Sequence, residues 1–149
     1  MRSPRPERIA SCYNRCASSV TATKPGTERI RSKRIVIGAD QAGKPLLDVI
    51  AAHLATKPGI KVVDLSQSGY YADLSRNLAE TILDGTNDRG VLFCGARIGV
   101  SISANKVPCI RAALTHDTYS VERVAKSNDA QIITMGARHR SGTRQGHCR

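Results

Sequence analysis

Tryptophan is absent from the 149 residues, phenylalanine occurs once and aromatics make up 3% of the chain, so aliphatic side chains must build the core. That scarcity also counts against a surface that stacks on nucleic-acid bases. No apolar stretch approaches the ~20 residues of a membrane span, which excludes a spanning helix. The five cysteines, Cys12, Cys16, Cys94, Cys109 and Cys148, form no C-x-x-C pair and no Cys/His cluster with zinc-ligand spacing. No zinc site is therefore expected. An odd cysteine count without a secretory signal fits a reducing, cytoplasmic setting.

Acidic residues are also few, twelve against 23 Lys and Arg, and the net charge of +11 resembles a nucleic-acid signal until it is placed along the chain. Residues 1–34 carry +7 and residues 138–149 carry +4, whereas residues 35–137 hold ten charges of each sign. The basicity belongs to the ends, so neither a nucleic-acid nor a membrane partner is expected for the core. Residues 1–33, rich in Arg, Ser and Thr, read as a basic disordered extension, with an organelle transit peptide as the alternative.

From residue 34 the pattern changes. Arg34–Gly38 is a β-branched run ended by glycine, as a buried strand requires. Gly43–Lys57 follows with Leu46, Leu47, Ile50, Ala51 and Leu54 at helical spacing, and Pro58-Gly59 breaks it. The alternation continues with strand Lys61–Leu65, helix Asp73–Asp84, strand Gly90–Cys94, helix Gly99–Lys106, strand Ile110–Leu114, helix Asp117–Ser127 and strand Gln131–Met135. Apolar strands separated by helices predict an α/β fold: a three-layer, doubly wound, Rossmann-like domain over residues 34–138 with a five-stranded parallel sheet. Ligands of such sheets bind beyond the carboxyl ends of the strands. That rule places Asp40, Cys94, His116 and Gly136–Arg138 on one rim.

The run Val91–Lys106 carries the chemistry. A short apolar strand delivers Cys94 into a glycine-bearing turn that opens a helix. Gly95 and Gly99 allow close approach of the backbone to a ligand, and the free N–H groups of a helix start favour an anion or a developing oxyanion. A thiol held there suits proton transfer beside a carbonyl. Read without its motif, Cys94 is a core residue, Asp40 a helix cap, His116 a helix-entry residue and Arg138 a solvated charge.

Five segments in order, G-A-D-Q-A-G (38–43), C-G-x-x-I-G-x-S-I-x-A-N-K (94–106), I-R-A-A-L (110–114), N-D-A (128–130) and M-G-A-R (135–138), resemble the ribose-5-phosphate isomerase B family, which includes galactose-6-phosphate isomerase subunits. The resemblance implies a sugar-phosphate substrate, no metal or nucleotide, and aldose–ketose exchange through a cis-enediol, first of all ribose 5-phosphate to ribulose 5-phosphate. It casts Cys94 as the base, with Ala96 and His116 at further catalytic positions. The N–H groups of Gly95, Ala96, Arg97, Ile98 and Gly99 would stabilise the enediolate. Asp40 would hold sugar hydroxyls, Arg138 would grip phosphate, and Gln41, Asn105, Lys106 and Asn128 complete the implied binding positions. The resemblance also implies a homodimer or homotetramer whose sites use residues of two subunits.

The chain departs from that pattern in places. Gln41 stands for the usual histidine and Ala96-Arg97 for Thr-Gly, which puts a side chain where the backbone calls for φ > 0. Cys109 replaces a glycine common after Val-Pro. Ser127 stands where pentose-phosphate members carry a histidine thought to open the furanose ring. A tetrose 4-phosphate cannot close a furanose, so the isomerase of erythrulose 4-phosphate and erythrose 4-phosphate is the alternative; His116 is the other candidate ring-opening group. Residues 139–149 lack apolar periodicity and read as an atypical basic tail, as a frameshift replacing the closing helix would leave. A truncated, weakly active phosphosugar-binding relic is the remaining alternative.

Overall fold

The computed structural model describes residues 32–66 and 69–138. The tail at 139–149 and nearly all of the basic extension lie outside them. Five strands and four helices alternate: β1 (Lys33–Ala39), α1 (Lys44–Ala55), β2 (Ile60–Asp64), α2 (Tyr71–Leu83), β3 (Arg89–Cys94), α3 (Ile98–Asn105), β4 (Ala112–Leu114), α4 (Thr118–Asn128) and β5 (Ile132–Gly136). The strands form one sheet in the order β2-β1-β3-β5-β4, every pairing parallel. This is the expected doubly wound α/β domain.

Alternate residues of each strand face opposite layers. Val36, Leu92 and Ile132 pack with Leu74 and Leu78 of α2 and Val100 and Ala104 of α3. Ile37, Ala39 and Phe93 pack with Leu47 of α1 on the other face, where Met135 of β5 also borders Val121 of α4. Phe93, the chain's single phenylalanine, is fully buried in that aliphatic setting.

Most elements begin or end within two residues of the expected positions. β4 is the shortest, starting at Ala112 rather than Ile110. The reason is local: Ile110 donates to the Val107 carbonyl at 3.2 Å, closing a turn in which Cys109 has φ 69°. The Asn105 side chain then accepts from the Ala112 N–H at 2.9 Å and donates to its carbonyl at 2.7 Å. That amide acts as a strand mimic at the start of β4.

Candidate active site

The chain leaves β1 toward β2 at one edge of the sheet, and leaves β3 toward β4 at the other. The crevice between the ends of β1 and β3 is therefore the switch point where open α/β sheets bind ligands. Asp40 follows β1, and its Oδ1 accepts from the Gly43 N–H at 2.8 Å while its carbonyl accepts from Lys44 at 3.0 Å. Asp40 thus fastens the turn ahead of α1 with one carboxylate oxygen, while the N-cap itself is Gly43 and takes no side-chain cap. Gly43 is required for a steric reason. A Cβ there would lie 2.5 Å from the Phe93 carbonyl carbon and 2.7 Å from the Cys94 nitrogen. Only glycine lets this turn rest against the end of β3.

Cys94 ends β3 opposite Gly136 of β5. It is free and only 8% exposed, and it is held in the layer that contains Leu92 and Val100. Its Sγ accepts from the Arg97 main-chain N–H at 3.1 Å. Arg97 is the N-cap of α3 with φ 60°, the left-handed conformation anticipated where a glycine is usual. Behind it, the first main-chain bond of α3 runs from Ser101 to the Arg97 carbonyl. The N–H groups of Ile98 and Gly99 find no main-chain acceptor among the described residues. A sulfur held by one main-chain N–H at the carboxyl edge of the sheet, next to the start of a helix, can accept a proton.

A cavity of about 420 Å³ opens at this crevice, with Asp40, Gln41 and Ala42 on one wall, Tyr70 and Tyr71 on another, and Arg138 beside them. Cys94 borders the cavity rather than lining it. Gly95 and Tyr71 connect the two: a Cβ on Gly95 would touch Ala42 at 3.4 Å and the Arg138 Cδ at 3.9 Å. Arg138 is anchored by its N–H to the Gly95 carbonyl at 3.0 Å. Arg97 does not line this cavity. Its Cδ lies 3.6 Å from where a Gly136 Cβ would stand, so its stem runs along the end of β5.

The tyrosines are the part of the site that the sequence reading missed. The Tyr71 ring packs on Gly99, whose added Cβ would meet it at 2.9 Å. The Tyr70 hydroxyl donates to the Tyr71 hydroxyl at 3.2 Å, with ring centroids 4.5 Å apart. The neighbouring Tyr70 hydroxyl raises Tyr71 above the ordinary tyrosine value, with smaller contributions from burial and from the charge of Cys94. Tyr71 therefore keeps its proton at neutral pH. The available signal was two adjacent tyrosines just before a helix, in a chain with four.

Other expected positions lie apart from this cavity. His116 stands on the rim, but β4 is an edge strand separated from β3 by β5. Its Nε2 lies 3.1 Å from Asp117 Oδ2, in a separate hollow of about 400 Å³ against α4. Asn105, Lys106 and Asn128 sit at the carboxyl ends of α3 and α4, where the helices have returned to the opposite edge of the sheet. The Asn105 amide is also engaged by Ala112 and by the Ser101 carbonyl at 2.9 Å. Among the described residues no group of His, Cys, Asp and Glu could hold a metal ion, and no helix is long and apolar enough to cross a membrane.

The fold thus brings a thiol held by one main-chain N–H, a carboxylate and a guanidinium to the switch point where sheets of this kind bind ligands. A family model described as Ribose/Galactose Isomerase matches residues 35–145. The chain is 48% identical over 109 residues to a D-erythrulose-4-phosphate isomerase of Pectobacterium atrosepticum, covering 70% of this chain and 71% of that protein. It is 41% identical over 108 residues to a ribose-5-P isomerase B of Listeria innocua, with 70% and 72% covered. The solved ribose-5-phosphate isomerase B of Clostridium thermocellum superposes with a TM-score of 0.67 at 39% identity, covering 70% and 73%. The chain belongs to the ribose/galactose isomerase family and is a sugar-phosphate isomerase of the ribose-5-phosphate isomerase B type.

Proposed function

We propose that this chain interconverts the ketose and aldose forms of a four-carbon sugar phosphate, D-erythrulose 4-phosphate and erythrose 4-phosphate, with Cys94 as the base. The observation that carries the chemistry is the Cys94 sulfur, held by the Arg97 N–H beside the first-turn amides of Ile98 and Gly99. The thiolate removes a proton from C1 of the ketose, and the C–H electron pair forms the C1–C2 double bond. The C2 oxygen takes the charge and is stabilised by those amides, which is a large term when donors are fixed in advance. Protons redistribute between O1 and O2, and the thiol returns its proton to C2, leaving an aldehyde at C1. The carboxylate oxygen of Asp40 not bound to Gly43 orients the hydroxyls, with Gln41 beside it. Arg138, which has no ion pair to a described acid, receives the phosphate bidentately.

The chemistry of ring opening supports the four-carbon substrate. Among the described residues no histidine lines the cavity, and Ser127 stands where, by the family resemblance, many pentose-phosphate members carry the histidine thought to open the furanose ring. A tetrose 4-phosphate has O4 esterified and needs no ring opening. The 48% identity to an erythrulose-4-phosphate isomerase supports the same choice. Ribose 5-phosphate is the second reading, favoured by His116 on the same rim and by the likeness to ribose-5-phosphate isomerase B.

A homodimer completes this reading. Ile98 and Ile102, one turn apart on α3, are 54% and 53% exposed and form an apolar stripe next to the site.

The decisive assay follows both sugar phosphates by NMR in deuterium oxide with the full chain and with Cys94→Ala. Deuterium should enter C2 of the aldose, and the variant should lose about 10²–10⁴-fold in kcat. Turnover unchanged in Cys94→Ala overturns the assignment.

A further inference from the structure

We propose that Tyr70 sets the length of sugar phosphate the cavity accepts and positions Tyr71 for the reaction, an inference that rests on the isomerase reading above. Tyr70 occupies the N-cap of α2 and makes no side-chain cap there. Ser, Thr, Asp and Asn are preferred at that place because their oxygen satisfies an unpaired helix N–H. A tyrosine gives up that bond, and its ring is left 62% exposed. Local rules broken in this way without a packing gain tend to mark functional positions.

The exposed residue is not idle: it lines the cavity together with Asp40, Gln41 and Arg138. Gly99, Tyr71 and Tyr70 touch in succession from the first turn of α3, linked by the 2.9 Å approach to Gly99 and the 4.5 Å ring contact. They form one wall along which a substrate lies, its carbonyl end near Gly99 and its phosphate near Arg138. A five-carbon chain carries its phosphate one carbon farther out, into the space the Tyr70 ring takes. The Tyr70 hydroxyl also donates to the Tyr71 oxygen at 3.2 Å. That bond fixes the position of the Tyr71 hydroxyl. Tyr70 is thus a specificity and positioning residue, acting through its ring on length and through its hydroxyl on Tyr71.

The test uses the full chain with Tyr70→Phe, Tyr70→Ala and Tyr70→Asp, assayed on erythrulose 4-phosphate and ribose 5-phosphate. Tyr70→Ala and Tyr70→Asp should shift the kcat/KM ratio toward the pentose by about tenfold, the scale on which one methylene is discriminated by a pocket. Tyr70→Phe should keep the ratio and lower kcat on both sugars with KM little changed. Tyr70→Asp should raise the melting temperature by restoring the cap, which separates loss of selectivity from loss of folding. A ratio unchanged within twofold in Tyr70→Ala and Tyr70→Asp overturns the proposal. If neither sugar turns over, the isomerase reading fails on its own, and binding of four- and five-carbon aldonic acid phosphates to the same variants decides Tyr70 by the same ratio.

Discussion

The main-chain N–H of Arg97 reaches the Cys94 sulfur at 3.1 Å from a left-handed backbone with φ 60°. The bond depends on the backbone turn and not on the arginine side chain, and an L-residue in this region is strained by about 1–2 kcal/mol. Arg97→Gly removes that strain and keeps the N–H, while glycine gains entropy in the unfolded chain. The variant should be more stable by up to about 1 kcal/mol. Because the Arg97 stem runs along Gly136 and not into the cavity, kcat should change less than about threefold. Urea unfolding and steady-state kinetics on one preparation check both.

Gly43→Ala should be far more damaging, although Gly43 has an ordinary φ of −87°. The new methyl would meet the Phe93 carbonyl oxygen at 2.6 Å and the Cys94 nitrogen at 2.7 Å. These are main-chain atoms of a central strand and cannot swing aside. Overpacking against fixed backbone should cost about 3 kcal/mol, a large share of a domain's stability. A thermal midpoint lowered by less than about 5 °C would show that the turn does not rest on β3 in this way.

Asp40 joins two roles that separate experimentally. One carboxylate oxygen accepts from Gly43 at 2.8 Å, and the other is available to the substrate. Asp40→Asn keeps an acceptor for the turn and removes the charge, so stability should move by less than about 0.5 kcal/mol while kcat/KM falls about 10- to 100-fold. Asp40→Ala should show the same loss of activity and an added destabilisation of about 1 kcal/mol from the lost turn bond. Equal stability of the two variants would show that the bond to Gly43 does not hold the turn.

The alternation of apolar runs made the layers and the rim legible, because a covered parallel sheet leaves little else for such a pattern to do. The left-handed backbone at Arg97 was legible through the glycine usually found there. The tyrosine wall was not. Which loop folds over a rim depends on contacts between Tyr71 and Gly99, 28 positions apart, that no local spacing encodes. Asn105 looked like a ligand because it sits in the central motif, yet its amide pairs with Ala112 across a turn. His116 kept its place on the rim and lost its reach, since strand order, which the sequence does not display, puts β5 between it and Cys94.

Acid should loosen the site from the β2 side. Asp64 accepts from the Ser66 N–H at 2.8 Å and pairs with Lys44 at 3.4 Å, and the Ser66 hydroxyl oxygen accepts from the Ala39 N–H at 3.1 Å beside Asp40. Partial burial pushes Asp64 up, but the Ser66 bonds and Lys44 outweigh it and hold the carboxyl below its ordinary value of 3.8. A depressed folded value contributes stability above the unfolded value, and that stability is lost as pH falls through the folded one. Asp64→Asn should therefore be less stable than the native chain at pH 7, and the gap should shrink below about pH 4 as the native carboxyl takes up its proton. Lys44 is raised from its ordinary value, chiefly by its bond to Asp48, so it stays charged across this window and the change is assigned to the carboxyl. Urea midpoints of both proteins from pH 7 to pH 3 give the comparison, and a gap constant over that range would mean that Asp64 holds Ser66 by shape alone.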